Sequence, residues 1–133
     1  MNFREEIQKE ETAWREVTYS EKFLNAFRGL YVVSQTTRHL YIHVISALVV
    51  TILGFYFGVS SLEWIALVFA IGFVLVAEAF NTAIEIDIDL TSPEYHPYAR
   101  DTKDVAAAAV LLSVFTAVIV GLIVFLPKAF SLL

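Results

Sequence analysis

The chain contains no cysteine, which removes disulfide frameworks, thiolate nucleophiles and sulfur-held metals from consideration. Its five glycines are dispersed and none belongs to a G-x-x-x-x-G-K-[ST] run, so any nucleotide would have to be held by side chains and metal. The three histidines, His39, His43 and His96, have no zinc spacing. Lys and Arg number 9 against 14 Asp and Glu, with no basic groove, so no nucleic-acid partner is expected. The chain opens with Arg4, Glu5 and Glu6 where a secretory signal would carry a short apolar core, and no cleaved leader is expected. Internal repeats and low-complexity tracts are also missing.

What is abundant is apolar sequence: 58% of 133 residues, gathered into long runs. That length makes one domain, and runs of this kind imply lipid as the solvent. The expected architecture is an all-α integral membrane domain over residues 1–133. Residues 1–40 are read as cytoplasmic or interfacial, with Phe23, Ala26, Phe27, Leu30 and Val33 recurring at three- and four-residue steps of an amphipathic surface helix. Three transmembrane helices follow at 41–59, 62–89 and 105–126. Ser60 and Ser61 are expected to cap a short hairpin, with Glu63 in the first turn of the next helix. The Ser92-Pro93 and His96-Pro97 steps should break the chain into a loop over 91–100, and the third span should stop at Pro127. Gly54 and Gly58, like Ala106 to Ala109, are read as small residues that let helices pack closely.

Six of the Lys and Arg residues precede the first span, two (Arg100 and Lys103) fall in the second loop, and none falls in the first loop. Positive charge stays inside, so the N-terminus and second loop are expected in the cytoplasm and the C-terminus outside. On a helix turning about 100° per residue, Glu78, Asn81, Glu85 and Asp89 fall within about 80° of arc. Asp87 points away from them and is read as solvent-facing. Two carboxylates with an amide between them can hold a hard cation such as Mg²⁺. Glu78 lies deepest, where loss of water strengthens a carboxylate as a general base, and an intramembrane acid costs several kcal/mol unless it is paired or protonated. Lys103 and Asp104 precede the third span, where the lysine can meet phosphate or simply set orientation. His43 is expected to sit at the interface with a polar partner, and His39 and His96 to be solvated. Three spans are too few to enclose a transport path in one chain.

The ordered run Glu78-Ala79-Phe80-Asn81-Thr82-Ala83-Ile84-Glu85, then Asp89, then Lys103-Asp104-Val105-Ala106-Ala107-Ala108-Ala109-Val110-Leu111 resembles the prokaryotic diacylglycerol kinase and undecaprenol kinase family. With Phe23, Ala26 and Gly29 the likeness extends from about Ser20 to Lys128. It implies ATP-dependent phosphorylation of a lipid alcohol in the plasma membrane by a homotrimer with sites between subunits. It further implies that Glu78 is the catalytic base, that Glu85 binds the Mg²⁺ of MgATP, and that Asn81 orders the site. By the same likeness Lys103 contacts phosphate, while Asp89 and Asp104 lie near the nucleotide. Glu63-Trp64 and the Phe125-Leu126-Pro127-Lys128 ending look more like undecaprenol kinases than diacylglycerol kinases.

One position departs from the pattern. Eight residues after Gly29 the family usually places a second metal-binding glutamate, and here Thr37 stands there. Arg38 fits the family, whereas His39 replaces a common asparagine. A hydroxyl is a poor substitute for a carboxylate on Mg²⁺, so the alternatives to an undecaprenol kinase are a diacylglycerol kinase and a weakened or inactive scaffold member.

Overall fold

A computed structural model describes residues 4–8, 18–37 and 40–131; Arg38 and His39 lie outside the described residues. Four long helices account for most of it: α1 (Tyr19–Thr36), α2 (Leu40–Tyr56), α3 (Ser61–Thr91) and α4 (Pro97–Phe130). No strand occurs among the described residues. The chain divides into two compact units, Met1–Ser34 and Gln35–Leu133.

In the first unit, Glu21 Oε2 accepts hydrogen bonds from the Thr18 hydroxyl and amide, at 2.7 and 2.8 Å, which ties down the start of α1. Those donors hold the Glu21 carboxyl below its ordinary range. Phe23 and Phe27, one turn apart, meet edge to face with ring centres 5.1 Å apart.

In the second unit the turn between α2 and α3 is fixed at both ends by local chemistry. Gly58 has φ +59, a conformation that costs an L side chain free energy. Its amide bonds to Phe55 O at 3.2 Å and the Val59 amide to Gly54 O at 3.1 Å, the paired bonds of a Schellman ending. Ser60 then caps α3 in a capping box: Glu63 N donates to its hydroxyl, and Ser60 N donates to Glu63 Oε2 at 2.6 Å. The Ser60 cap is as the sequence implied. Gly58 is a helix stop rather than a packing glycine. Gly54 is the packing residue, since a methyl group added there would lie 2.5 Å from the Trp64 ring.

The loop before α4 is shorter than the sequence implied. Pro97 opens α4 instead of breaking it, because proline at the first helical position has no needed donor to lose, and His96 accepts from Tyr98 N as the N-cap. Pro127 likewise lies inside α4, which continues to Phe130; near a helix end one missing amide donor leaves little unsatisfied.

Burial in this unit is inverted relative to a water-soluble core. Phe55, Phe69, Phe73, Phe80 and Phe115 are exposed, while Ala70, Ala106, Ser113 and Thr82 are buried. Small and hydroxyl side chains let membrane helices approach closely, and the large apolar ones face lipid. Of Ala106 to Ala109 only Ala106 is buried. Val59, Leu67 and Val124 form the apolar cluster beneath the α2–α3 turn, and Lys128 pairs with Glu63 at 3.1 Å beside it. Helix α3 packs most extensively on α4 and more lightly on α2. Both α3 and α4 are long and apolar enough to cross a bilayer; α2, with 17 residues, makes a third span only when counted together with α1.

Candidate active site

The inward stripe of α3 runs Leu67, Ala70, Val74, Glu78, Thr82 at three- and four-residue steps. Helical periodicity therefore carries an apolar stripe straight into a carboxylate. Glu78 is 4% exposed, and its Oε2 lies 3.9 Å from His43 Nε2 on α2. One turn further, the Thr82 hydroxyl is 2.9 Å from Glu78 O and 2.6 Å from the Thr37 hydroxyl.

Asn81 and Glu85 flank this stripe on the same side of α3. Asn81 Nδ2 donates to Glu85 Oε1 at 3.0 Å, and Asn81 Oδ1 is buried without a hydrogen-bond partner. Such an oxygen beside a carboxylate is what a hard cation needs. No group of three or more His, Cys, Asp or Glu among the described residues is placed to hold a metal ion. Mg²⁺ does not require one, because it keeps waters and takes the rest of its ligands from one or two carboxylates and substrate phosphates. Glu85 and Asn81 thus fit a site that phosphate completes.

A second polar cluster lies where α3 and α4 are joined. Lys103 Nζ reaches back to Asp89 Oδ1 at 2.6 Å, and Asp104 pairs one helical turn away with Arg100 at 3.5 Å. Asp89, Arg100, Lys103 and Asp104 line a cavity of about 410 Å³ with His96 and Tyr95. Glu78, Asn81 and Glu85 come together as one row, and Asp89, Lys103 and Asp104 as another group. In sequence Thr82 had no role of its own and Arg100 counted only as a loop charge. Thr82 falls about 40° from Glu78 on the same helix, and Arg100 sits four residues before Asp104, so helical spacing carried both signals.

The prokaryotic diacylglycerol kinase family model matches residues 24–125. The chain belongs to that family. An undecaprenol kinase of Bacillus subtilis is 37% identical over 110 residues, covering 83% of this chain and 89% of the relative. A diacylglycerol kinase of Synechocystis is 34% identical over 112 residues, covering 84% and 64%. One from Helicobacter pylori is 39% identical over 69 residues, about half of each chain. The resemblance read from Glu78 to Leu111 is thus met, and with it an enzyme of lipid-kinase type in a membrane.

Proposed function

We propose that this chain is an ATP-dependent undecaprenol kinase of the plasma membrane, acting as a homotrimer of three-span subunits with the N-terminus and second loop in the cytoplasm. The observation that carries the reaction is the buried Glu78 carboxylate in one row with Asn81 and Glu85. The undecaprenol kinase relative, which matches 83% of this chain and 89% of its own length, supports that choice of substrate.

In this reading Glu78 takes the proton of the lipid hydroxyl, which arrives from the bilayer at the depth where α3 turns polar. Glu85 would hold Mg²⁺ with Asn81 beside it, and Lys103 would leave Asp89 to meet phosphate when the nucleotide enters. Asp89 and Asp104 then lie along the nucleotide. Bound Mg²⁺ would supply charge neutralisation for the transferring phosphoryl group. The surrounding apolar helices keep water from competing with the lipid alcohol.

Purified protein in detergent, given labelled ATP with undecaprenol and diacylglycerol side by side, tests this directly. Faster labelling of undecaprenol is the expected result. Faster labelling of diacylglycerol reverses the substrate choice, and labelling of neither refutes the kinase. That last outcome belongs to a second reading, a catalytically weakened scaffold, which the Thr37 hydroxyl favours by standing where a second metal-binding carboxylate is expected.

A further inference from the structure

His43 is the one strongly polar side chain at the head of the apolar α2, and the fold spends it on Glu78. The two side chains are 16% and 6% exposed, with Nε2 and Oε2 3.9 Å apart. Among the described residues no hydrogen bond reaches the Glu78 carboxylate; the Thr82 hydroxyl beside it is taken up by Glu78 O and the Thr37 hydroxyl. A carboxylate this deep needs a partner or a proton. At 3.9 Å the pair is too long for a hydrogen bond, yet acid–base contacts of this kind tighten when substrate binds. His43 also lines an apolar cavity of about 260 Å³ between α2, α3 and α4, together with Ser46, Val74 and Gly121. The imidazole therefore adjoins both the base and an apolar space, and is the more exposed member of the pair.

We propose that His43 is a positioning residue that acts through Glu78: it steadies the carboxylate and takes on the proton that Glu78 removes from the lipid alcohol. The inference rests on the kinase reading above. As the alcohol O–H breaks, its proton passes to Glu78 while the oxygen bonds to the γ-phosphorus. The bond from that phosphorus to the bridging oxygen breaks, and its electrons leave with the nucleoside diphosphate. Glu78 then hands the proton to His43 Nε2, and His43 releases it to water. One proton is released per turnover and both side chains return to their starting state. Without His43 the proton stays on a carboxyl with little access to water, and the next turnover waits for it.

The test uses the full chain in detergent. His43→Ala and His43→Gln are expected to lower kcat by about 10-fold or more, less than the roughly 10²-fold of a direct acid–base group because His43 acts through Glu78, while KM for MgATP stays within about twofold. Imidazole added to the medium should restore turnover to His43→Ala and leave Glu78→Gln unrestored, a result that a structural role would not produce. Unchanged kcat overturns the proposal, as does a rise in lipid KM alone or a loss that imidazole fails to restore in a variant with the parent melting temperature. Nitrogen NMR of the imidazole needs no activity: the His43 Nε2 signal should move between the parent and Glu78→Gln. An unmoved signal overturns the pairing even if the parent is active. A moved signal in a parent that phosphorylates no lipid alcohol leaves the pairing standing and refutes the kinase reading instead.

Discussion

Glu78 occupies the point on α3 where the inward stripe would otherwise hold another valine or alanine. Replacing it with glutamine keeps the shape and removes the proton acceptor. Turnover should fall by about 10² or more while MgATP binding persists, read by kcat and by nucleotide titration. Because the neutral amide spares a buried charge, the melting temperature should rise if it moves at all. Glu85→Gln should act differently, weakening MgATP binding by taking a charged oxygen from the metal. A fully active Glu78→Gln protein rules out general-base catalysis by this residue. Thr37 gives a complementary test. Its hydroxyl meets Thr82, which sits on the same face of α3 as Glu78 and Glu85, so Thr37→Glu should add a metal ligand and lower the Mg²⁺ concentration for half-maximal activity. An unchanged Mg²⁺ requirement in the folded variant excludes Thr37 from the metal site.

The helix ends around the α2–α3 and α3–α4 turns have local causes, and the two turns serve different purposes. The α2–α3 turn is built for rigidity: Gly58 at positive φ closes one helix and the Ser60–Glu63 box opens the next. Gly58→Ala puts a side chain into that conformation, and should cost about 1 kcal/mol, seen as a lower unfolding midpoint with unchanged KM values. The α3–α4 turn carries exposed ion pairs instead, and such pairs contribute little to stability. Lys103→Ala should therefore change stability by less than about 1 kcal/mol, while KM for ATP rises severalfold if the lysine leaves Asp89 to meet phosphate. Lost stability with an unaltered KM would assign Lys103 to the fold alone.

In the Gln35–Leu133 unit many large apolar side chains are exposed while Glu78, Thr82 and Ser113 are buried, and the expected orientation rests on where Lys and Arg are withheld. No such residue lies in the α2–α3 turn, so that turn should be outside and the α3–α4 loop inside. A chain without cysteine allows a clean test. Ser60→Cys should label with an impermeant thiol reagent from the outside only, and Ser92→Cys only after the inner face is opened. Reversed labelling would remove Glu78 and Glu85 from cytoplasmic ATP. Native mass spectrometry in detergent should give three copies, and a monomer retaining full kinase activity would dismiss sites shared between subunits.

Sequence alone determined the features that depend on local rules. The apolar runs marked the helices that face lipid, the Ser60–Glu63 spacing marked a helix start, and the helical period placed Glu78, Asn81 and Glu85 on one side of α3. Cap geometry was only half legible: a glycine four residues from another reads equally as packing or as a helix stop, and His96-Pro97 reads as a break or a beginning. The backbone conformation decided both, through the positive φ of Gly58 and the free first-turn position of Pro97. Contacts between distant residues were beyond periodicity altogether. His43 could be given a polar partner but not a named one, and nothing in the spacing joined Thr37 to Thr82 or Lys128 to Glu63. Those pairings depend on the register and approach of helices held by small buried residues such as Gly54, Ala70 and Ala106. That approach is set by packing between elements, so only the tertiary structure brings His43 to 3.9 Å from Glu78.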